Sequence, residues 1–172
     1  MNKLRIIQYV FQLSLLALLF NNNLIGKDLQ VKKDGFSPSN IPTFESYPVT
    51  EAYKGKIAPV DLNSYPEARK YRTRLREGVK SGPNFAGHYV VIPIGCGTSC
   101  QNQWVVNVKT GKILARFLTT IGAEYRLGSN LLILNAPTEE YKKIYKENPE
   151  APFLTGKTIC LVWEKDKPKI VY

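Results

Sequence analysis

From Phe85 onward, apolar residues come in short runs broken by turn residues, a pattern of strands rather than helices. Residues 86–94 read as a strand, 95–102 as a turn and 103–108 as a return strand. Lys109-Thr110-Gly111-Lys112 reads as a tight hairpin turn, with Gly111 where positive φ is needed. Residues 113–118 follow as a strand, and residues 124–127 and 131–135 flank Gly128-Ser129-Asn130 as a second hairpin. Residues 139–146 read as a short helix, and residues 158–163 and 169–172 as two final strands.

One helix precedes this region. Ser64-Tyr65-Pro66-Glu67 has the form of a capping box with Pro in the first turn. Ala68, Tyr71, Leu75 and Val79 recur at helical spacing and should face the core, and Gly78 with Ser81-Gly82-Pro83 should end the element. The expected fold is α+β: an antiparallel β-meander packed with one main helix, for which an open sheet and a small barrel both fit. Residues 27–63, broken by Pro38, Pro42, Pro48 and Pro59, read as a lead-in that wraps the domain, with a short edge strand at 49–53. Residues 64–172 are then a single domain.

The N-terminus differs in kind. Lys3 and Arg5 precede an apolar run over residues 6–20, which Asn21, Asn22 and Asn23 end. This is the layout of a secretory signal peptide, here residues 1–26. The run is shorter than the ~20 residues that span a bilayer comfortably. No A-x-A site is present, and Leu24-Ile25-Gly26 is the nearest small-residue candidate for cleavage. If the segment is kept, it serves as a membrane anchor. The protein is therefore expected to be exported, periplasmic or secreted.

Composition adds little until charge is counted. The 172 residues carry a net charge of +10, and loss of residues 1–26 lowers it only by Lys3 and Arg5. A basic exported domain is drawn to anionic lipid, wall polymer or acidic protein. The densest charge lies on the helix, at Arg69, Lys70, Arg72, Arg74 and Arg76. That row is either a solvated face or a docking surface for a polyanion. A nucleic-acid role is not expected of an exported protein.

Few residues suit catalysis. His88 is the one histidine, and the three cysteines are Cys96, Cys100 and Cys160. An oxidising compartment favours disulfides. On the chain-entropy estimate a Cys96–Cys100 link stabilises by roughly 2 kcal/mol and a Cys96–Cys160 link by roughly 4 kcal/mol. Proximity within a Gly-rich turn favours Cys96–Cys100, leaving Cys160 as a small buried apolar residue. A thiol enzyme would need His88 as base. Yet eight residues of extended strand put His88 roughly 26 Å from Cys96. If the turn centres near Thr98, His88 lies opposite Val108. His88 otherwise shares a strand face with Ala86, Val90, Ile92 and Ile94, as a half-buried residue bonded to backbone or carboxylate. Asn84 reads as a turn or cap residue. One His and two oxidised Cys leave too few ligands for a metal site. No cofactor pattern is present: no phosphate loop, no dinucleotide glycine pattern and no H-E-x-x-H. Lys109-Thr110-Gly111 lacks the Ser-x-x-Lys box that would make it part of a penicillin-binding site.

Residues 68–76, 84–89 and 95–100 together carry a resemblance. The chain is similar there to an uncharacterised family of small exported bacterial proteins. Its members share an Ala-Arg-x-Tyr/Phe-Arg-Thr-x-Leu-Arg helix, Asn-Phe-Ala-Gly-His-Tyr, and Trp-Gly-Cys-Gly-Thr-x-Cys, with Ile94 here in place of the Trp. The resemblance spans residues 60–115 and implies no activity. The expected function is thus an envelope-associated binding or structural domain. Arg69, Arg72, Arg76, Asn84 and His88 are the candidate binding residues, and the partner is an anionic envelope component or an envelope protein. The alternative is a cysteine-dependent hydrolase or thiol enzyme acting on wall or peptide substrates, using His88 and Cys96.

Overall fold

A computed structural model describes residues 40–139, 143, 147 and 156–172. The expected signal segment, the start of the lead-in and most of the expected 139–146 helix lie outside the described residues. From Ser37 to Tyr172 the chain forms one compact unit. Within it the architecture is α+β: the described residues form a helix over Arg72–Lys80 and two open antiparallel sheets rather than a barrel.

Strands β1 (Tyr89–Gly97), β2 (Cys100–Asn107) and β3 (Ile113–Thr119) make the first sheet, in that order. Strands β4 (Ala123–Tyr125), β5 (Leu131–Leu134), β6 (Ile159–Glu164) and β7 (Lys167–Ile170) make the second. Side chains alternate between faces along a strand. In β1, Val90, Ile92 and Ile94 face the helix, while Tyr89 and Val91 face the second sheet. In β5 and β6, Leu132, Leu134, Leu161 and Trp163 face the first sheet. Leu131, Ile133, Cys160 and Val162 face outward, where Ile41, Phe44, Tyr47 and Tyr172 cover them. Strand β5 is therefore buried on both faces, which explains why its sequence is apolar throughout rather than alternating.

The helix α1 (Arg72–Lys80) follows a 3-10 turn at Ala68–Tyr71. Ala68, Leu75 and Val79 are buried as expected, and Tyr71 packs its ring 5.1 Å from that of Trp104. The capping box does not form. Glu67 has φ 64°, a left-handed conformation that cannot be the third residue of a helix capped by Ser64. Its carboxylate pairs instead with Arg116 at 2.6 Å. The Ser64 hydroxyl donates to Asp61 O at 2.6 Å and accepts from Ile113 N at 2.9 Å, joining the lead-in to β3. Gly78 does not end the helix. It lies inside, where a Cβ would come 2.6 Å from Ile92 Cγ2, so its lack of a side chain sets how closely α1 approaches β1.

Residues 40–63 wrap the unit. No strand forms at 49–53, because those backbone groups bond singly to separate turns: Val49 N to Gly128 O at 2.9 Å and Tyr53 N to Gly87 O at 2.8 Å. Tyr53, Ile57, Val60 and Leu62 pack onto the core between α1 and the first sheet.

Candidate functional site

The Asn-Phe-Ala-Gly-His-Tyr stretch is not the start of a strand. Residues 86–88 form a tight turn that folds Phe85 back onto Tyr89, with reciprocal N–H···O bonds of 3.0 and 2.9 Å. Ala86 has φ 42° and Gly87 φ 74°. At Gly87 a Cβ would lie 2.7 Å from Glu51 O, so the packed lead-in as well as the backbone angle demands glycine. The Gly87 N–H donates to Leu127 O at 2.8 Å, and its carbonyl takes Tyr53 N–H.

Asn84 binds the edge of β1. Its Nδ2 donates to Val91 O at 3.0 Å and its Oδ1 accepts from Val91 N at 2.8 Å. The side chain thus acts as a strand neighbour for one residue of an otherwise open edge. That spends the polar atoms of Asn84, a candidate binding residue, on the fold.

The register of the first hairpin places His88 as expected: Tyr89 pairs with Asn107, and Val108 N donates to His88 O at 3.0 Å. Its ring packs against that of Tyr89 at a tilt of 36°, centroids 4.0 Å apart. Among the described residues the expected imidazole bond to backbone or carboxylate is not made. The nearby carboxylate is Asp166, whose Oδ1 accepts from Tyr89 Oη at 2.8 Å and from Asn107 Nδ2 at 2.9 Å. Burial and the Lys109 charge hold the His88 pKa below its usual value, with Asp166 opposing them. Burial, then the bond to Asp166, pushes the Tyr89 phenol well above its usual range. The cluster locks the β6–β7 turn, where Lys165 and Asp166 have φ 48° and 63°, against the first sheet. Sequence gave no pointer to Asp166, because its partner Tyr89 lies 77 residues away.

Cys96 and Cys100 are disulfide-bonded, with Cα atoms 5.1 Å apart. The strands run farther than expected, and the connecting turn is only Thr98-Ser99. The disulfide crosses this hairpin at the end of β1 opposite His88, so Cys96 has neither a thiol nor a base beside it. Cys160 is free but fully buried, and burial raises its thiol pKa to about 11. Among the described residues no group of three or more His, Cys, Asp and Glu side chains is placed to hold a metal.

The basic row is the open part of the molecule. Arg69, Arg72 and Arg76 are exposed. Arg69 Nη2 donates to Asn63 Oδ1 at 2.6 Å, and Arg72 Nη1 to Arg69 O at 3.4 Å. Arg76 and Lys80, one turn apart, have no hydrogen bond or ion pair among the described residues. Both line a groove of about 540 Å³ whose other wall is residues 57–60 and whose floor includes Val79. Lys80 was missed in the sequence, although its i+4 spacing from Arg76 puts it in the same row. The groove wall, built from the lead-in, had no sequence signal.

Comparison with known proteins returns no matching family model, no matching curated protein and no matching solved structure.

Proposed function

We propose that this is an exported binding domain whose partner at the cell envelope is anionic and docks on the α1 edge formed by Arg72, Arg76 and Lys80. The observation that carries the reading is the state of Arg76 and Lys80: two exposed cations without an acidic partner among the described residues, at the rim of an apolar groove. The disulfide at Cys96 and the burial of Cys160 add support, since they leave no accessible thiolate for the cysteine chemistry the sequence also allows. Near an anionic surface each Lys or Arg contributes about 1 kcal/mol. Reversing Arg72, Arg76 and Lys80 to Glu should therefore release most of the protein from the envelope fraction at physiological salt. Unchanged fractionation of a folded triple variant refutes the reading.

A further inference from the structure

We infer that the groove between residues 57–60 and the end of α1 binds an anionic phospholipid of the envelope membrane, with the phosphate at Arg76 and Lys80 and hydrocarbon on Ile57, Val60 and Val79. The inference rests on the proposed function and narrows its partner to a lipid surface.

Three observations lead there. The groove is apolar on its wall and floor and cationic on one rim, so it complements a molecule with an anionic head and a greasy body. Arg76 and Lys80 are exposed and unpaired among the described residues, so an incoming phosphate displaces no internal ion pair. The wall is also ill suited to a peptide strand. The Ala58 N–H is bonded to Val108 O at 2.8 Å, and Pro59, next in the chain, has no N–H. Two successive positions therefore offer no free donor for strand pairing, which leaves apolar contact and charge as the means of recognition. A purely polar polyanion would use the cations but not the groove. Interfacial binding of a protein strengthens with both buried apolar area and attraction to anionic lipid, and this site supplies both.

The test uses the protein recovered from the envelope fraction, with its disulfide intact. Cosedimentation is measured with vesicles of pure phosphatidylcholine and with vesicles containing phosphatidylglycerol. Methyl resonances of Ile57, Val60 and Val79 are followed on adding short-chain phosphatidylglycerol, with inorganic phosphate as control. We expect binding to the anionic vesicles only. Arg76→Gln with Lys80→Gln should weaken it about thirtyfold, from about 1 kcal/mol per cation. Both side chains are exposed, so this variant should fold normally, which its thermal melt checks. The three methyl groups should shift with the lipid and not with phosphate. Binding to anionic vesicles with unmoved methyl groups overturns the groove inference but leaves the electrostatic function standing. Envelope association that depends on Arg76 and Lys80 without any vesicle binding overturns the lipid and points to a polymer or protein. Envelope association unaffected by the variant overturns both readings.

Discussion

Asn84→Ala tests whether the most distinctive sequence motif serves the fold. The side chain makes two hydrogen bonds, at 3.0 and 2.8 Å, to the two main-chain groups of Val91. Val91 is 1% exposed and sits on the outer edge of β1, so no other strand can take over those groups. A net hydrogen bond is worth about 1 kcal/mol, and a buried group left unpaired costs about 1–3 kcal/mol. Partial access of water to the vacated site keeps the total near the lower end, so the expected loss is about 2–4 kcal/mol. Urea unfolding followed by tryptophan fluorescence is a suitable assay. Trp104 reports the layer between α1 and the first sheet, and Trp163 the layer between the sheets. Both probes should shift to a lower midpoint with the slope unchanged. Asn84→Asp should be no milder, because it keeps an acceptor for Val91 N–H but sets a second oxygen against Val91 O. A loss below about 0.5 kcal/mol for Asn84→Ala, the range of ordinary surface changes, refutes the edge-closing role.

Two further outcomes follow from the same geometry. Replacing Cys96 and Cys100 together with Ser should lower stability by about 2 kcal/mol while leaving the far-UV spectrum intact, since the loop they close is short; an unchanged urea midpoint would mean that the β1–β2 ladder alone holds the tip. His88 has a folded-state pKa below 6.5, so the unfolded chain takes up its proton first as pH falls. Stability should then be full above 6.5 and decline as pH drops from there toward the folded-state pKa, and His88→Gln should flatten that part of a pH series of thermal melts.

What could be read from sequence was what local pattern decides. The apolar row of Ala68, Leu75 and Val79 was legible because helical spacing alone assigns a face. The Gly111 turn was legible because φ 74° there calls for glycine. The short disulfide followed from proximity within one hairpin. The failures share a cause: polar side chains bonded far along the chain rather than nearby. Ser64 and Glu67 fit a helix cap by spacing, yet one bonds Ile113 and the other Arg116, each 49 residues distant. Ala86, Lys165 and Asp166 adopt positive φ without being glycine, and tertiary contacts hold them there. The division into two sheets was illegible for a related reason. Strand periodicity assigns faces, but it does not say whether the β3–β4 connection continues one sheet or starts another.

The structural use of the motif bears on where a partner is bound. Apart from the His88 imidazole, a ligand at the Asn84–Tyr89 turn would meet polar groups that are already occupied. The Asn84 amide holds Val91, the Tyr89 hydroxyl holds Asp166, and both main-chain groups of Gly87 are bonded, to Leu127 and Tyr53. Recruiting any of them breaks a bond worth about 1 kcal/mol and loosens the junction of the lead-in with both sheets. At Arg76 and Lys80 the balance differs. An anion there gains charge-assisted contacts against side-chain ordering alone, because no bond among the described residues must break first. A distinctive motif and a binding surface can thus occupy separate parts of one small domain. The motif fixes the turn that carries β1, β1 fixes α1 through the close approach at Gly78, and α1 presents the cations. Substitutions in the motif should therefore change how much protein is folded, and substitutions on the α1 edge should change what the folded protein binds.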